Sequence, residues 1–593
     1  MSFALLVPLL LALGMCFIPV WLLRRINLDQ AQDYFVASQN TRPEVVRNAS
    51  IAYAVRMAAF GPLFAWGASG DLWPAIIASL FFALGIYSIY LLRKPLLVFM
   101  DRALSRDQSI TVHEFIAQQH GNDSRVRLLT ASLTLFALMG LLVGEAVGVA
   151  AFVRAALPEN ANAVHLFMLG ALVSTVLYAT IAGHAGVMHS AQLQLGMLHL
   201  SLFGLTALLL YLHISALAPA PVHGTFAVVF VAACGAVMLY YRRSRYVDTN
   251  AIGGGRLLSR LEKILNIFIT VMIVMVIVTA TMQLSTAGLP TIVDNSIAAL
   301  RVETSVPGVG LIALCLAPLC YPLVDVTNWQ RLAGLRKSTQ ASVADADRGC
   351  DVLRRVFAMY AVESFLVWLF ICMLGAIAVV AMQTQGGVNV LAIFVAQLVA
   401  HDNVVTAAAL ALLLIGVFAI ALSTMSVLFS AGLCTIRYDI MPALWPELAP
   451  GHGQPSKETT ARRRTLVAGG ALGLVVVTVS GIADRFLPIS FASSTFLAVL
   501  LAVACAQLAF APLVLGAIVA HMRGRVGNLN AAWAMSVPVV GVTGSVAALA
   551  VYVTTGTEAW LWAAVPVCVG AAFMLFAVAA YLNARQIRMR THS

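Results

Sequence analysis

The stretch Ala421-Leu422-Ser423-Thr424-Met425-Ser426 sets three hydroxyls into an apolar run that extends from about Thr406 to Leu433. A run of that length can cross a bilayer as a helix, and in hydrocarbon each polar group needs an internal partner or a ligand. A single membrane serine ordinarily satisfies itself by bonding a carbonyl one turn back. Three hydroxyls in four positions, followed by Ile436-Arg437-Tyr438-Asp439-Ile440 where the run ends, ask for more. They mark a ligand-bearing membrane helix and give the first expectation, an all-α polytopic membrane protein.

Composition agrees with that reading. Of 593 residues, 61% are hydrophobic and only 10% charged, with a mean hydropathy of +0.92; a soluble domain has roughly a quarter of its residues charged. The net charge of +11 does not call for nucleic acid, because the basic residues sit in short loops between apolar runs, as the positive-inside rule requires. The nine cysteines are scattered singly, without disulfide or metal-ligand spacing, and read as core filler. His165, His184, His189 and His213 fall near span ends and only His199 lies well inside, which excludes the deep histidine set of a haem or copper enzyme. Gly253-Gly254-Gly255-Arg256 follows no strand and reads as a turn rather than a phosphate loop. Neither a cofactor nor enzymatic activity is expected.

Fifteen spans are predicted, at about 3–24, 46–70, 73–93, 126–155, 163–183, 190–213, 224–241, 261–284, 306–329, 353–383, 404–433, 465–484, 490–520, 531–553 and 559–583. Alternate loops carry Arg24-Arg25, Arg102 with Arg106, Arg242-Arg243-Arg245, Arg336-Lys337, Arg462-Arg463-Arg464, Arg523 with Arg525, and Arg585, Arg588 and Arg590. The intervening loops 157–162, 214–223, 385–402 and 554–558 contain neither Lys nor Arg. The first set is therefore assigned to the cytoplasm, giving an N-out, C-in topology in the cell (inner) membrane. The first segment lacks a basic leader and precedes Arg24-Arg25, so a retained helix is expected there. Val388–Val399 is apolar but too short to cross, which suggests a surface or re-entrant helix. No signalling domain and no obligate protein partner is expected beside the lipid bilayer itself.

Five separated stretches also share an order. Asp33-Tyr34-Phe35-Val36-Ala37, Thr111-Val112-His113-Glu114-Phe115, Thr180-Ile181-Ala182-Gly183, Trp329-Gln330-Arg331-Leu332-Ala333 and Ser423-Thr424 resemble motifs of the solute:sodium symporter family, within the LeuT-type inverted-repeat superfamily. His113 stands where that family has proline. The resemblance implies a single transmembrane domain with a LeuT-like core of five plus five helices, the first helix of each half broken. Its parts would be a leading helix 3–24, a first repeat 46–213, an inserted helix pair 224–284, a second repeat 306–520 and a trailing pair 531–583. The topology permits this, since span 46–70 starts inside and span 306–329 outside. Gly61-Pro62 and Pro318 with Pro322 are the helix-disrupting features of the two halves.

By the same resemblance a sodium ion would be held by the carbonyls of Ala54 and Met57 and the hydroxyls of Ser423 and Thr424. Two positions depart from the family pattern: Arg56 replaces an acid or small polar residue, and Ala191 replaces a further acid. Arg56 at mid-membrane costs roughly 3 kcal/mol on insertion scales, so a counter-ion is expected, Asp325 first, Glu145 second, with Glu363 at comparable depth. Arg56 would serve either a structural salt bridge or the grip on an anionic solute. Phe60, Trp66, Tyr178, Tyr321 and Trp329 would stack on a solute or simply pack. The function this implies is a secondary, sodium-coupled transporter of a small polar organic solute such as an amino acid or carboxylate. A carrier not coupled to sodium and a transporter-like sensor or accessory protein are the alternatives.

Overall fold

The computed structural model describes Phe35 and residues 43–105, 110–156, 161–216, 222–243, 256–287, 289–300, 304–339, 346–382, 390–400, 404–448, 455–486, 494–522 and 529–592. Among these, every regular element is a helix. Ten helices are long and apolar enough to cross a membrane, or 13 segments when each of three sharply bent helix pairs counts as one. The chain is therefore a multi-pass membrane protein. The expected span 3–24 lies outside the described residues. Span 224–241 is the helix Val222–Arg243, whose described apolar part, Gly224–Leu239, is shorter than a crossing. The other expected spans each coincide with a helix or bent pair.

Ten helices build or border the functional region and are numbered α1 to α10: Pro43–Ala54, Met57–Ser69, Val112–Gln119, Ser124–Ala156, Gly308–Val324, Val326–Thr339, Ala346–Met382, Val404–Thr435, Ser494–Leu508 and Ala511–Met522. Three junctions are bent: α1 to α2 by 60°, α5 to α6 by 46° and α9 to α10 by 41°. The first break is not at Gly61-Pro62. It falls at Val55-Arg56, and Pro62 lies inside α2. One proline removes one donor, whereas a full break frees several backbone groups, so the chain breaks where neighbouring helices can satisfy them. The second break, at Asp325, follows Pro322 directly along the helix. The third lies at Ala509-Phe510 and has a local cause the sequence reading passed over: Pro512 lacks the N–H that would continue the ladder to Leu508.

Gly183 sits at φ 57° and ψ −164° between the spans Val164–Ile181 and Gly183–Leu212. Only glycine visits that region readily, so the Thr180–Gly183 motif is a kink with the second span starting at once, seven residues earlier than expected. The helices Arg93–Ser105 and Leu289–Ala299 lie in stretches expected as loops. The inserted helices Val222–Arg243 and Arg256–Ala287 pack on Ala161–Ala216 and α7. Val390–Ala400 is a short helix that buries Leu391, Phe394, Val395 and Leu398, with Phe394 5.6 Å from the Phe64 ring of α2.

Helices α2 and α7 meet backbone to backbone. A Cβ on Gly67 would collide with the Cys372 carbonyl oxygen, and one on Gly375 with the Phe64 carbonyl oxygen. Neither obstacle is a side chain that can swing aside. Gly67→Ala or Gly375→Ala should therefore cost about 1–3 kcal/mol through overpacking, read as a lower melting temperature in detergent. Gly470→Ala, which meets open space, should leave it unchanged.

Candidate functional site at the facing helix breaks

The first break is held by groups from three other helices. Arg56 is extended (φ −108°, ψ 147°) and its carbonyl accepts from Ala59 N and Phe60 N at 3.0 and 2.9 Å, which starts α2. Across from it, Glu145 on α4 accepts from Met57 N at 2.9 Å and so caps the α2 N-terminus. On the α1 side, Ala54 O accepts from the Trp368 indole of α7 at 2.9 Å. The Ser423 hydroxyl of α8 donates to Ala52 O and to Ile420 O at 3.2 and 2.9 Å, and Thr424 donates to Val55 O at 3.2 Å. Every backbone group named here has a partner, as burial in hydrocarbon demands.

The second break is built around Asp325, which is 1% exposed. Its carboxylate accepts from Thr327 N at 3.0 Å and its carbonyl from Asn328 N at 3.0 Å, so it starts α6 as Arg56 starts α2. The carbonyls freed just upstream are taken up by side chains: Pro322 O by Asn328 Nδ2, Leu323 O by Trp329 Nε1, and Val324 O by Gln507 Nε2, at 2.9, 2.9 and 3.0 Å. Gln507 lies at the end of α9, next to the third break.

The two breaks face each other. Arg56 Nη2 lies 3.8 Å from Asp325 Oδ2. The guanidinium also stacks on Tyr53 of α1 and Tyr321 of α5, at 4.4 and 4.7 Å from the ring centres, and the two hydroxyls are 3.5 Å apart. A buried guanidinium is thus matched by one carboxylate and two aromatic faces.

The candidate residues fall into groups on this geometry. Ala54, Met57, Ser423 and Thr424 surround the first break, and Arg56, Tyr321 and Asp325 join it to the second. Glu145, read as an alternative counter-ion, bonds a helix N-terminus instead. Phe60 stacks on Phe64 at 6.3 Å and lies beside Leu198, Ser201, Leu202, Gly416 and Ile420. Glu363 lies elsewhere, 3.6 Å from His199 Nε2. Trp329 packs on Phe115 at 5.3 Å and Phe99 at 6.2 Å, which is core packing. Trp66 is buried in α2, and the Tyr178 side chain lies outside the described residues. Trp368 and Gln507 are site-building residues that sequence reasoning missed.

Oxygen donors around the first break suit a hard monovalent cation. The Ser423 and Thr424 hydroxyls spend their protons on carbonyls, which leaves lone pairs for an ion, whereas Ala54 O has one lone pair committed to Trp368.

Residues of three of the sequence motifs, Phe35, Thr111 and Gln330, gather around one another and Tyr438–Asp439. Phe35 O accepts from Gln330 Nε2 at 3.0 Å, and the Phe35 ring meets Tyr438 edge-on at 5.7 Å. Thr111 caps α3 through Glu114 N and donates to Asp439 Oδ1 at 2.6 Å, while Glu114 pairs with Arg127 at 2.6 Å. His113 is fully buried, edge-on to Phe510, and burial with the nearby Arg127 charge pushes its pKa down to about 3. It is a buried neutral ring within the Thr111–Phe115 stretch.

No family model matches the chain, and no curated protein matches it. Among solved structures it is similar to a Na⁺-coupled sialic acid symporter in a substrate-bound, outward-open state, with 16% identity and a TM-score of 0.62 over 98% of each chain. It is also similar to Mhp1, a nucleobase-cation-symport-1 family transporter in a closed conformation with bromovinylhydantoin bound. There the identity is 13% and the TM-score 0.45, over 94% of this chain and 97% of that one. The first likeness is a likeness of fold: the chain is an all-helical, multi-pass membrane protein folded like the sialic acid symporter.

Proposed function

We propose that the protein is a secondary transporter that carries a small polar organic solute, such as an amino acid or a carboxylate, across the cytoplasmic membrane by alternating access. The observation that carries this reading is the pair of facing breaks, with Arg56 from one and Asp325 from the other 3.8 Å apart. Broken helices inside a bilayer are tolerated where protein or a binding site lines them, and transporters place their solutes there. The fold shared with a Na⁺-coupled symporter supports it as analogy.

Sodium is the proposed coupling ion, held by the Ala54 and Met57 carbonyls and the Ser423 and Thr424 hydroxyls. Loss of one hydroxyl ligand, by Ser423→Ala or Thr424→Ala, should weaken sodium activation of uptake roughly tenfold per folded molecule, beyond any loss of folded protein from stranding the Ala52 or Val55 carbonyl. Reconstituted vesicles that take up solute equally with and without a sodium gradient would overturn the sodium assignment. One observation favours that second reading, a sodium-independent carrier: Arg56 already supplies a fixed positive charge to the nearby buried carboxylate, Asp325.

A further inference from the structure

Arg331 lies on α6, six residues beyond the second break, which is about 9 Å along a helix. It is 1% exposed. Nη1 donates to Asn328 Oδ1 at 3.3 Å, and Nε and Nη2 are buried without any acceptor. No carboxylate among the described residues lies within ion-pair distance of it. Its guanidinium stacks on Tyr53 at 4.6 Å from the ring centre, so Tyr53 carries both Arg331 and Arg56. A stacked ring offsets only part of the cost of dehydrating a guanidinium. Arg56 has Asp325 as its counter-ion; Arg331 has none among the described residues.

The unmatched atoms have a shape. Nε–H and Nη2–H form the side edge of a guanidinium, and two parallel donors at that spacing match the two oxygens of a carboxylate. A third unmatched group is the Tyr360 hydroxyl of α7, which is buried without a partner and feels the charges of Arg331, Asp325 and Arg56. Counted over the described residues, the site is one positive charge in excess with three donor atoms unspent, and the pieces come from both broken helices and from α7.

We propose that Arg331, with Tyr360, is the binding site for the carboxylate of the transported solute, and that the solute is a small monocarboxylate. This rests on the transporter reading above and moves the anion grip from Arg56, which Asp325 neutralises, to Arg331. The side edge of Arg331 takes both carboxylate oxygens and Tyr360 donates to one of them. The bound anion cancels the excess charge. Because α6 and α7 each contribute a contact, the anion also ties these two helices together while it is bound.

Binding, rather than flux, tests the proposal. The purified full-length protein is titrated at constant sodium with acetate, lactate and pyruvate, with acetamide and lactamide as neutral isosteres, and with chloride and phosphate. At least one monocarboxylate should bind and raise the melting temperature, while the amides and inorganic ions should not. Arg331→Gln should weaken that binding roughly 10- to 100-fold, as expected for a charge-assisted bidentate contact. Tyr360→Phe keeps the ring and should weaken it several-fold, which provides a second reading if the arginine variant does not fold. Amides binding as tightly as carboxylates, affinity unchanged in either variant, or no binding by any of the three carboxylates would overturn the site. Chloride or phosphate binding with the same Arg331 dependence would make it a resident inorganic-anion site and overturn the solute assignment. Uptake of a neutral solute without carboxylate binding would sink this proposal alone. Carboxylate binding at Arg331 without flux would instead sink the transporter reading.

Discussion

Arg56→Ala and Asp325→Ala should each destabilise the protein by about 3–5 kcal/mol, and the double variant should lose much less than their sum. Arginine does not shed its proton at neutral pH. Removing Asp325 therefore leaves a guanidinium only 12% exposed with two tyrosine rings and no anion within ion-pair distance. Removing Arg56 leaves a carboxylate 1% exposed whose remaining partner among the described residues is Thr327 N. Asp325→Asn separates two roles, since an amide oxygen still accepts from Thr327 N and keeps the start of α6, but it cannot neutralise Arg56. It should fall between wild type and Asp325→Ala. The measurement is the melting temperature and monodisperse fraction of the wild type and all four variants in one detergent. Strictly additive losses would mean the two charges do not interact across the breaks, and the facing-break description of the site would fail with them.

How much of this was legible in the sequence depends on the range of the interaction. The spans are local properties of composition, and each expected span from 46–70 onward lands on a helix or bent pair. Asp325 as the first partner of Arg56 was also legible, because a charge on each of two interrupted helices at similar depth has few alternatives. The position of the first break was not. Gly61-Pro62 is the loudest local signal, yet the chain breaks at Val55-Arg56, where Glu145, Trp368 and Thr424 supply partners from 88, 314 and 369 residues away. Nothing near Trp368 in sequence distinguishes its indole from any other in an apolar span. Glu145 was legible as a buried acid but not as a helix cap, because a carboxylate can face an arginine or a row of amides and only packing decides. The third break was within reach: Pro512 pointed to it. Arg331 appeared as one letter of a motif beside the basic Arg336-Lys337 loop, and only the packing shows it to be a buried charge with no counter-ion among the described residues.

The last expectation follows from that cap. Glu145 is 1% exposed, and its Oε2 is the acceptor for Met57 N at the head of α2. Glu145→Leu fills similar volume but strands a buried N–H, at about 1–3 kcal/mol, and forfeits the favourable meeting of a negative charge with a helix N-terminus, about 0.3–1 kcal/mol more. Glu145→Gln keeps an oxygen acceptor in place and should lose only the second part. The damage should also be local, because the freed amides belong to the hinge between α1 and α2. Hydrogen exchange should accelerate at Met57 and Ala58 in Glu145→Leu well before the distant helices Ala531–Thr555 and Glu558–His592 respond. If Glu145→Gln proves as unstable as Glu145→Leu, the charge rather than the hydrogen bond holds the hinge, and Glu145 belongs with Arg56 and Asp325 in one electrostatic unit. If neither variant alters stability or exchange at residues 57–58, the cap contributes nothing and the first break must be held from the α1 side by Trp368, Ser423 and Thr424.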